Sequence, residues 1–403
     1  MSRHPRVAFG VDRVCNFPGI LPKASRVGLV TNDVARLARD SRIPGRVALL
    51  DAGVPVTRLF SPEHGLSANA TDGAHVRDAI DRETGLPIVS LYGERFDPSP
   101  ESLTDLDSVL FDVPDVGARF YTYIWTLSHV LEACARTRTR LVVLDRPNPL
   151  GGVLEHAEGP MLDEKECSSF VGRWSMPVRH SLTIGELARH WSKTRVTGVE
   201  VDVVRAHGWT REAQWPSLAL PWIPTSPSMP SFESALLYPG ICLFEATNLS
   251  VGRGTETPFQ VIAAPWLDAR RLAHALEGAA WLGVRLTRDE IVPSMGPYAG
   301  ERCEALRIEI VDRERVRPVA LGLTLLAAVT RRETHHLHHR FQWATYPTAA
   351  NPSGATHFER LIGKRYVRQR LSDADAPVTA TDIARWTSPR SWGDEVRPHL
   401  LYE

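Results

Sequence analysis

The chain has 403 residues, enough for two or three domains of ordinary size and a sizeable core. Lys plus Arg equals Asp plus Glu at 47 each, which leaves no global field to attract nucleic acid or an anionic membrane, so recognition by charge has to be local. The cysteines, Cys15, Cys134, Cys167, Cys242 and Cys303, lie far apart with no CxxC or Cys/His spacing, which argues against a disulfide framework and a structural metal.

From the N-terminus, the opening residues lack the apolar stretch of an export signal. No later segment has the roughly eighteen uninterrupted apolar residues of a membrane span. The expectation is a cytoplasmic protein as the sequence is written, or an exported one if the true start lies upstream. Short apolar β-rich runs then alternate with helix-period stretches, the pattern of βαβ units and a mainly parallel sheet. Strands are expected at 27–31, 56–60, 88–92, 108–112 and 141–145. Between the last two, Ile124, Leu127, Val130, Leu131 and Ala135 share one helical face, which marks a crossover helix over 123–136. Thr183 and Glu186 have capping-box spacing and open a helix over 183–192, followed by a strand at 199–204.

Tryptophans and prolines crowd residues 208–239, and a structured loop region is expected there. After about Pro258 the elements become fewer and longer: a strand at 259–263, a helix over 268–279, strands near 284–286 and 306–311, and an apolar helix over 318–330. Helical stretches follow at 358–371 and 379–386, and the apolar ending of Leu400, Leu401 and Tyr402 is suited to dock back. The class that emerges is α/β, with a smaller α+β domain at the C-terminal side.

In an open parallel sheet, ligands bind beyond the carboxyl ends of the strands, where loops converge and helix N-termini point inward. Residues that directly follow the expected strands are therefore the candidates. Glu63 and His64 follow the second; Asp112, Asp115, Arg119, Tyr121 and Tyr123 follow the fourth; Asp145, Arg146 and Asn148 follow the fifth. Asp112 and Asp145 also stand where turn and helix caps stand, so both roles are open. Glu63 favours function, because Pro62 and Gly65 make a tight turn around it and Glu is not a turn former. His64 either supports its neighbour or touches the ligand.

Arg119, Tyr121 and Tyr123 form a polar and aromatic cluster in which an arginine can hold a carboxylate and rings can face a sugar, with at least one tyrosine left to pack on the sheet. Arg179 and His180 follow a short apolar run. Glu245 and Asn248 precede Arg253, whose flanking Gly252 and Gly254 imply unusual backbone dihedrals in a segment that reads as strand and loop. His335, His336, His338 and His339 look like a metal tract but offer no carboxylate in ligand spacing and read as a solvated helix end. No GxGxxG, GxxxxGK[ST] or GxSxG is present. Carboxylates without a metal cluster, a serine triad or a cofactor loop fit glycoside hydrolysis best, which needs an acid for the leaving oxygen and a second carboxylate or substrate group.

The runs Leu59-Phe-Ser-Pro-Glu-His-Gly65, Phe111-Asp-Val-Pro-Asp-Val-Gly-Ala-Arg-Phe-Tyr-Thr-Tyr123, Leu144-Asp-Arg-Pro-Asn-Pro149, Glu158-Gly-Pro160, Pro177-Val-Arg-His180, Ser226-Pro-Ser-Met-Pro230 and Leu243-Phe-Glu-Ala-Thr-Asn-Leu-Ser-Val-Gly-Arg-Gly-Thr255 resemble the exo-β-N-acetylmuramidase family of peptidoglycan recycling. The likeness extends over nearly the whole chain, from about Val27 to the Leu400-Leu401-Tyr402 ending. It departs from the family at Thr31 to Arg36, where a glycine-containing turn is usual, and at Glu304-Ala305, where a glycine is expected.

The resemblance implies a Rossmann-like, mainly parallel sheet domain over 1–257, with a smaller α+β domain over 258–403 closing the cleft. It also implies a metal-independent hydrolase that needs no cofactor, takes a small sugar or muropeptide and releases N-acetylmuramic acid from non-reducing ends. Neither nucleic acid nor membrane insertion is expected. Glu63 becomes the principal catalytic carboxylate, most simply the general acid, and His64 the catalytic-site residue that orients it or binds the sugar, with Asp115 and Glu245 competing with the substrate's acetamido oxygen as second group. Asn32, Tyr121, Tyr123, Asn148, Glu158, His180 and Asn248 become sugar contacts, and Arg119, Arg146, Arg179 and Arg253 candidates for the lactyl carboxylate. The reading requires Glu63 to meet the loops of Arg119 and Arg146 across one pocket.

Overall fold

Strands buried on both faces need cover on both sides, and here they alternate their side chains between two apolar layers. The computed structural model describes residues 7–71, 73–276, 283–331, 340–373 and 375–403. Its main sheet contains β1 (Val27–Thr31), β2 (Val56–Ser61), β3 (Ala79–Ile80), β4 (Pro87–Ser90), β5 (Ser108–Asp112), β6 (Arg140–Leu144) and β7 (Val201–Val204), in the order β3-β4-β2-β1-β5-β6-β7. Every pair is parallel except the short β3 against β4. Val109, Phe111, Leu141 and Val143 enter one layer and Leu29, Leu110, Val142 and Leu144 the other.

The chain runs outward through β1, β2 and β4, then jumps back to pair β5 on the free side of β1. The crossover helix spans Tyr123–Thr137, and Thr183 caps Ile184–Thr194 through the reciprocal bonds with Glu186 that the spacing announced. The residues expected to form only loops, 208–239, also contain most of a helix, Phe232–Ile241. Its apolar run includes Pro239, which reads as a breaker in sequence but is carried within the helix.

The smaller sheet is antiparallel, ordered β8-β10-β9, from β8 (Val261–Ala264), β9 (Val284–Ile291) and β10 (Cys303–Ile310). Helix Pro318–Thr330 lies on Phe232–Ile241, and the two approach at glycines: a Cβ on Gly240 would stand 1.7 Å from the Pro318 carbonyl oxygen. The expected helix over 268–279 is seen as Ala269–Ala275, its remaining residues from 277 lying outside the described ones. The single stretch expected over 358–371 is two helices, His357–Ile362 and Arg365–Ser372, parted at Gly363 with φ of 81°. The C-terminus docks back: the Tyr402 hydroxyl donates to Asp145 at 2.6 Å and its ring meets Trp209 edge-on. The histidine tract at 335–339 lies outside the described residues.

Candidate active site

β2 ends at Ser61, and the chain turns at once, the Gly65 N–H donating to the Pro62 carbonyl at 3.0 Å. His64 is held in the left-handed region with φ of 67°, a conformation costly for a side chain with a Cβ and one that collects at functional sites. Its Nδ1 lies 2.7 Å from the Ala70 carbonyl oxygen, which can only accept, so Nδ1 carries a proton. Glu63 is buried yet lines a cleft. One carboxylate oxygen accepts from Gly73 N–H at 2.9 Å and the other from the Thr122 hydroxyl at 2.5 Å. Thr122 is the cap residue of helix Tyr123–Thr137, so β2 and the segment after β5 together fix this side chain. Each carboxylate oxygen keeps capacity for another hydrogen bond.

The opposite wall comes from a 3₁₀ turn, Cys242–Ala246, rather than the strand expected there. It carries Glu245, which accepts from Arg253 Nε on one oxygen and from the Cys242 thiol on the other. Arg253 also lies over the Phe259 ring, 5.0 Å from its centre, and Gly252 and Gly254 adopt φ of 76° and 74° to place it. Glu63, His64, Tyr121, Glu245 and Arg253 line a single cleft of about 650 Å³, counting its open mouth. Tyr346, Thr348 and His357 close it from the C-terminal part of the chain.

The other named residues lie elsewhere, and the reason is visible in each case. Arg119 is fully buried, donating to the carbonyls of Pro160, Met176 and Leu361, and burial pulls its guanidinium down to about 9. Arg179 donates to Leu150 and Val316 carbonyls, and burial brings it down to about 10. Both staple distant chain segments. Arg146 embraces Asp112 with bonds of 2.7 and 3.0 Å at the ends of β5 and β6 and lines a separate apolar slot with Trp215 and Trp222. The requirement that Glu63 share its pocket with Arg119 and Arg146 is therefore not met; Arg253 takes that place.

Asp115 faces the same slot as Arg146. It accepts from Gly117 N–H and from His180 Nε2, which is the protonated nitrogen because Nδ1 accepts from Leu182 N–H. Asn148 closes its own loop with Leu150 and Leu182, and Asn248 pins the backbone of Arg340 and Gln342. Asn32 accepts from Ala35 N–H and leaves Nδ2 buried without a hydrogen-bond partner among the described residues. Glu158 caps helix Pro318–Thr330 through Val319 and Ala320 N–H, while burial pushes its carboxyl up to about 7. Tyr123 is fully buried under His64, its hydroxyl on the Thr225 carbonyl, whereas Tyr121 reaches the cleft and donates to the Thr225 hydroxyl.

Thr122, Tyr238, Tyr346 and His357 were not singled out from the sequence. Thr122 stands inside the motif between two tyrosines, but nothing in one sequence distinguishes a capping hydroxyl from one that holds a carboxylate. Among the described residues no group of three or more His, Cys, Asp or Glu could hold a metal ion, and no helix is long and apolar enough to cross a membrane.

Two family profiles match end to end: exo-beta-N-acetylmuramidase NamZ, N-terminal, over residues 27–233, and exo-beta-N-acetylmuramidase NamZ, C-terminal, over 236–402. The peptidoglycan beta-N-acetylmuramidase NamZ of Bacillus subtilis (strain 168) is 34% identical over 374 residues, 92% of this chain and 86% of that protein. Two crystal structures of DUF1343 family proteins from Bacteroides fragilis NCTC 9343 share the fold. One superposes with a TM-score of 0.86 at 28% identity over 100% of both chains, the other with 0.75 at 27% over 99% of both. Matched over nearly its whole length by both profiles and by a relative above 30% identity, the chain belongs to the NamZ exo-β-N-acetylmuramidase family.

Proposed function

We propose that this chain is an exo-acting glycoside hydrolase that releases N-acetylmuramic acid from the non-reducing end of β-1,4-linked peptidoglycan fragments. The observation that carries the reading is one cleft in which the buried Glu63 faces the Glu245 and Arg253 pair, in a chain of this family. Glu63 is the principal catalytic carboxylate. It delivers a proton to the glycosidic oxygen as the bond to the anomeric carbon breaks, and water supplies the hydroxyl of the released sugar. Thr122 and Gly73 hold it in one orientation, so the acid is positioned before substrate arrives.

Arg253 is the cation for the lactyl carboxylate: of the four arginines considered, it alone lines this cleft. Its Nε donates to Glu245, which fixes the guanidinium at the wall of the cleft. Tyr121 offers a ring and a hydroxyl to the sugar. With Asp115 turned to a different slot, the second catalytic group is Glu245 or the substrate's own acetamido oxygen. A division into two domains at about residue 257 belongs to the same reading; the two family profiles meet earlier, between residues 233 and 236.

The test is a product assay on paired chromogenic β-hexosaminides with and without the lactyl group. Release from the muraminide, with much weaker release from the glucosaminide, is the expected result. Binding of the muraminide without any product would make the protein a sugar-binding module and overturn the hydrolase reading.

A further inference from the structure

His357 begins helix His357–Ile362 and is only 6% exposed, yet its ring lines the cleft with Glu63, Glu245 and Arg253. The imidazole stacks on Tyr346, with ring centres 4.8 Å apart and planes 17° off parallel, which fixes its orientation. Its Nε2 is buried and has no hydrogen-bond partner among the described residues. A buried polar atom left unpaired destabilises the fold, and such an atom at a cleft is a candidate for pairing with a ligand. Burial, with help from Arg360 and Arg253, pulls the imidazole down to about 4, so near neutral pH the ring is uncharged and offers one N–H. A neutral ring beside a guanidinium adds a directional donor without further positive charge, an arrangement suited to an anionic group.

Resting on the muramidase reading above, we propose that His357 donates a hydrogen bond from Nε2 to the lactyl carboxylate of the terminal N-acetylmuramic acid, beside Arg253. The two residues thereby select muramic acid over N-acetylglucosamine. Nothing in the primary structure marks this histidine: it stands far from the carboxylate motifs, and only the return of the C-terminal segment over the sheet brings it to Glu63.

The experiment is calorimetry on the full chain with three probes: N-acetylmuramic acid, the same sugar with its lactyl carboxylate converted to the amide, and N-acetylglucosamine. The unaltered protein is expected to prefer the acid over the amide. His357→Ala should weaken binding of the acid by about ten-fold to a hundred-fold, the range for a hydrogen bond to a charged group, and weaken the amide, whose carbonyl accepts only a neutral bond, clearly less. His357→Gln places a carboxamide N–H near the position of Nε2 and should recover most of the loss. His357→Asn places it near Nδ1 and should not.

Equal weakening toward acid and amide, or rescue by Asn in place of Gln, overturns the proposal. Should the alanine variant fail to fold, the comparison of the Gln and Asn variants, each checked by thermal unfolding, still decides. An unaltered protein that cleaves the muraminide but treats acid and amide alike sinks this inference and the role given to Arg253, and leaves the hydrolase reading standing. One that neither binds nor cleaves any muramic compound sinks the function as well.

Discussion

Two sets of charged residues occupy the carboxyl edge of the same sheet, and they do different work. At the ends of β5 and β6, Asp112 embraces Arg146, and Asp145 accepts from Thr183, Gly185 and Tyr402. After β2 and across from it, Glu63, Glu245 and Arg253 line an open cleft. Residue type is alike in the two sets, and Glu63, like Asp112 and Asp145, stands at a strand end. What separates them is that Asp112 and Asp145 are fully buried inside the protein, whereas Glu63, Glu245 and Arg253 line the cleft.

The largest effect expected from that contrast is at Glu63. Glu63→Gln should lower kcat on a chromogenic β-N-acetylmuraminide by about a hundred-fold to ten-thousand-fold while the thermal unfolding profile stays close to that of the parent. Retention of full activity would remove Glu63 as the acid and dissolve the contrast.

The switch-point set should answer in stability instead. Asp112→Ala leaves Arg146 buried without its carboxylate and should cost about 3–5 kcal/mol, read by urea unfolding. A variant as stable as the parent but impaired in turnover would move Asp112 from scaffold to site.

A pH titration sharpens the same point. Burial raises the Glu158 carboxyl from its ordinary 4.5 to about 7, so between those values the folded chain holds more protons there than the unfolded one. Its contribution to stability is then full below about 4.5 and is lost as pH rises through about 7. Asp145, raised by burial to about 6, acts in the same direction at slightly lower pH. Glu158→Gln should flatten part of this decline in unfolding free energy; an unchanged slope would show that the carboxyl is not held protonated.

The smallest effect is expected at the C-terminus. Tyr402→Phe removes one bond to Asp145 and one from Ala206 N–H, and should cost about 1–2 kcal/mol with activity retained. Loss of turnover without loss of stability would tie the docked tail to the cleft.

The elements legible in the sequence were those with strong periodicity or punctuation. The five strand positions, the helix after Tyr121-Thr-Tyr123 and the capping box of Thr183 and Glu186 all appear where the pattern put them. Helix Phe232–Ile241 was missed because Pro239 and the density of tryptophan and proline before it disguised a mostly apolar helix that packs on Pro318–Thr330. The 3₁₀ turn bearing Glu245 was mistaken for a strand because a short apolar run has no periodicity that separates the two.

By itself, the sequence determined the six parallel strands of the main sheet, though not the short antiparallel β3, and that Glu63 stands in a tight turn at a strand end. These follow from local pattern and turn chemistry. The tertiary structure alone decided which of the four arginines shares a cleft with that carboxylate. Arg119 and Arg179 are fully buried with their terminal nitrogens on backbone carbonyls and Arg146 is paired with Asp112, while Arg253 and His357 line the cleft. A charged side chain near a strand end looks the same in one dimension either way; whether its hydrogen bonds are spent inside the protein depends on partners tens to hundreds of residues distant.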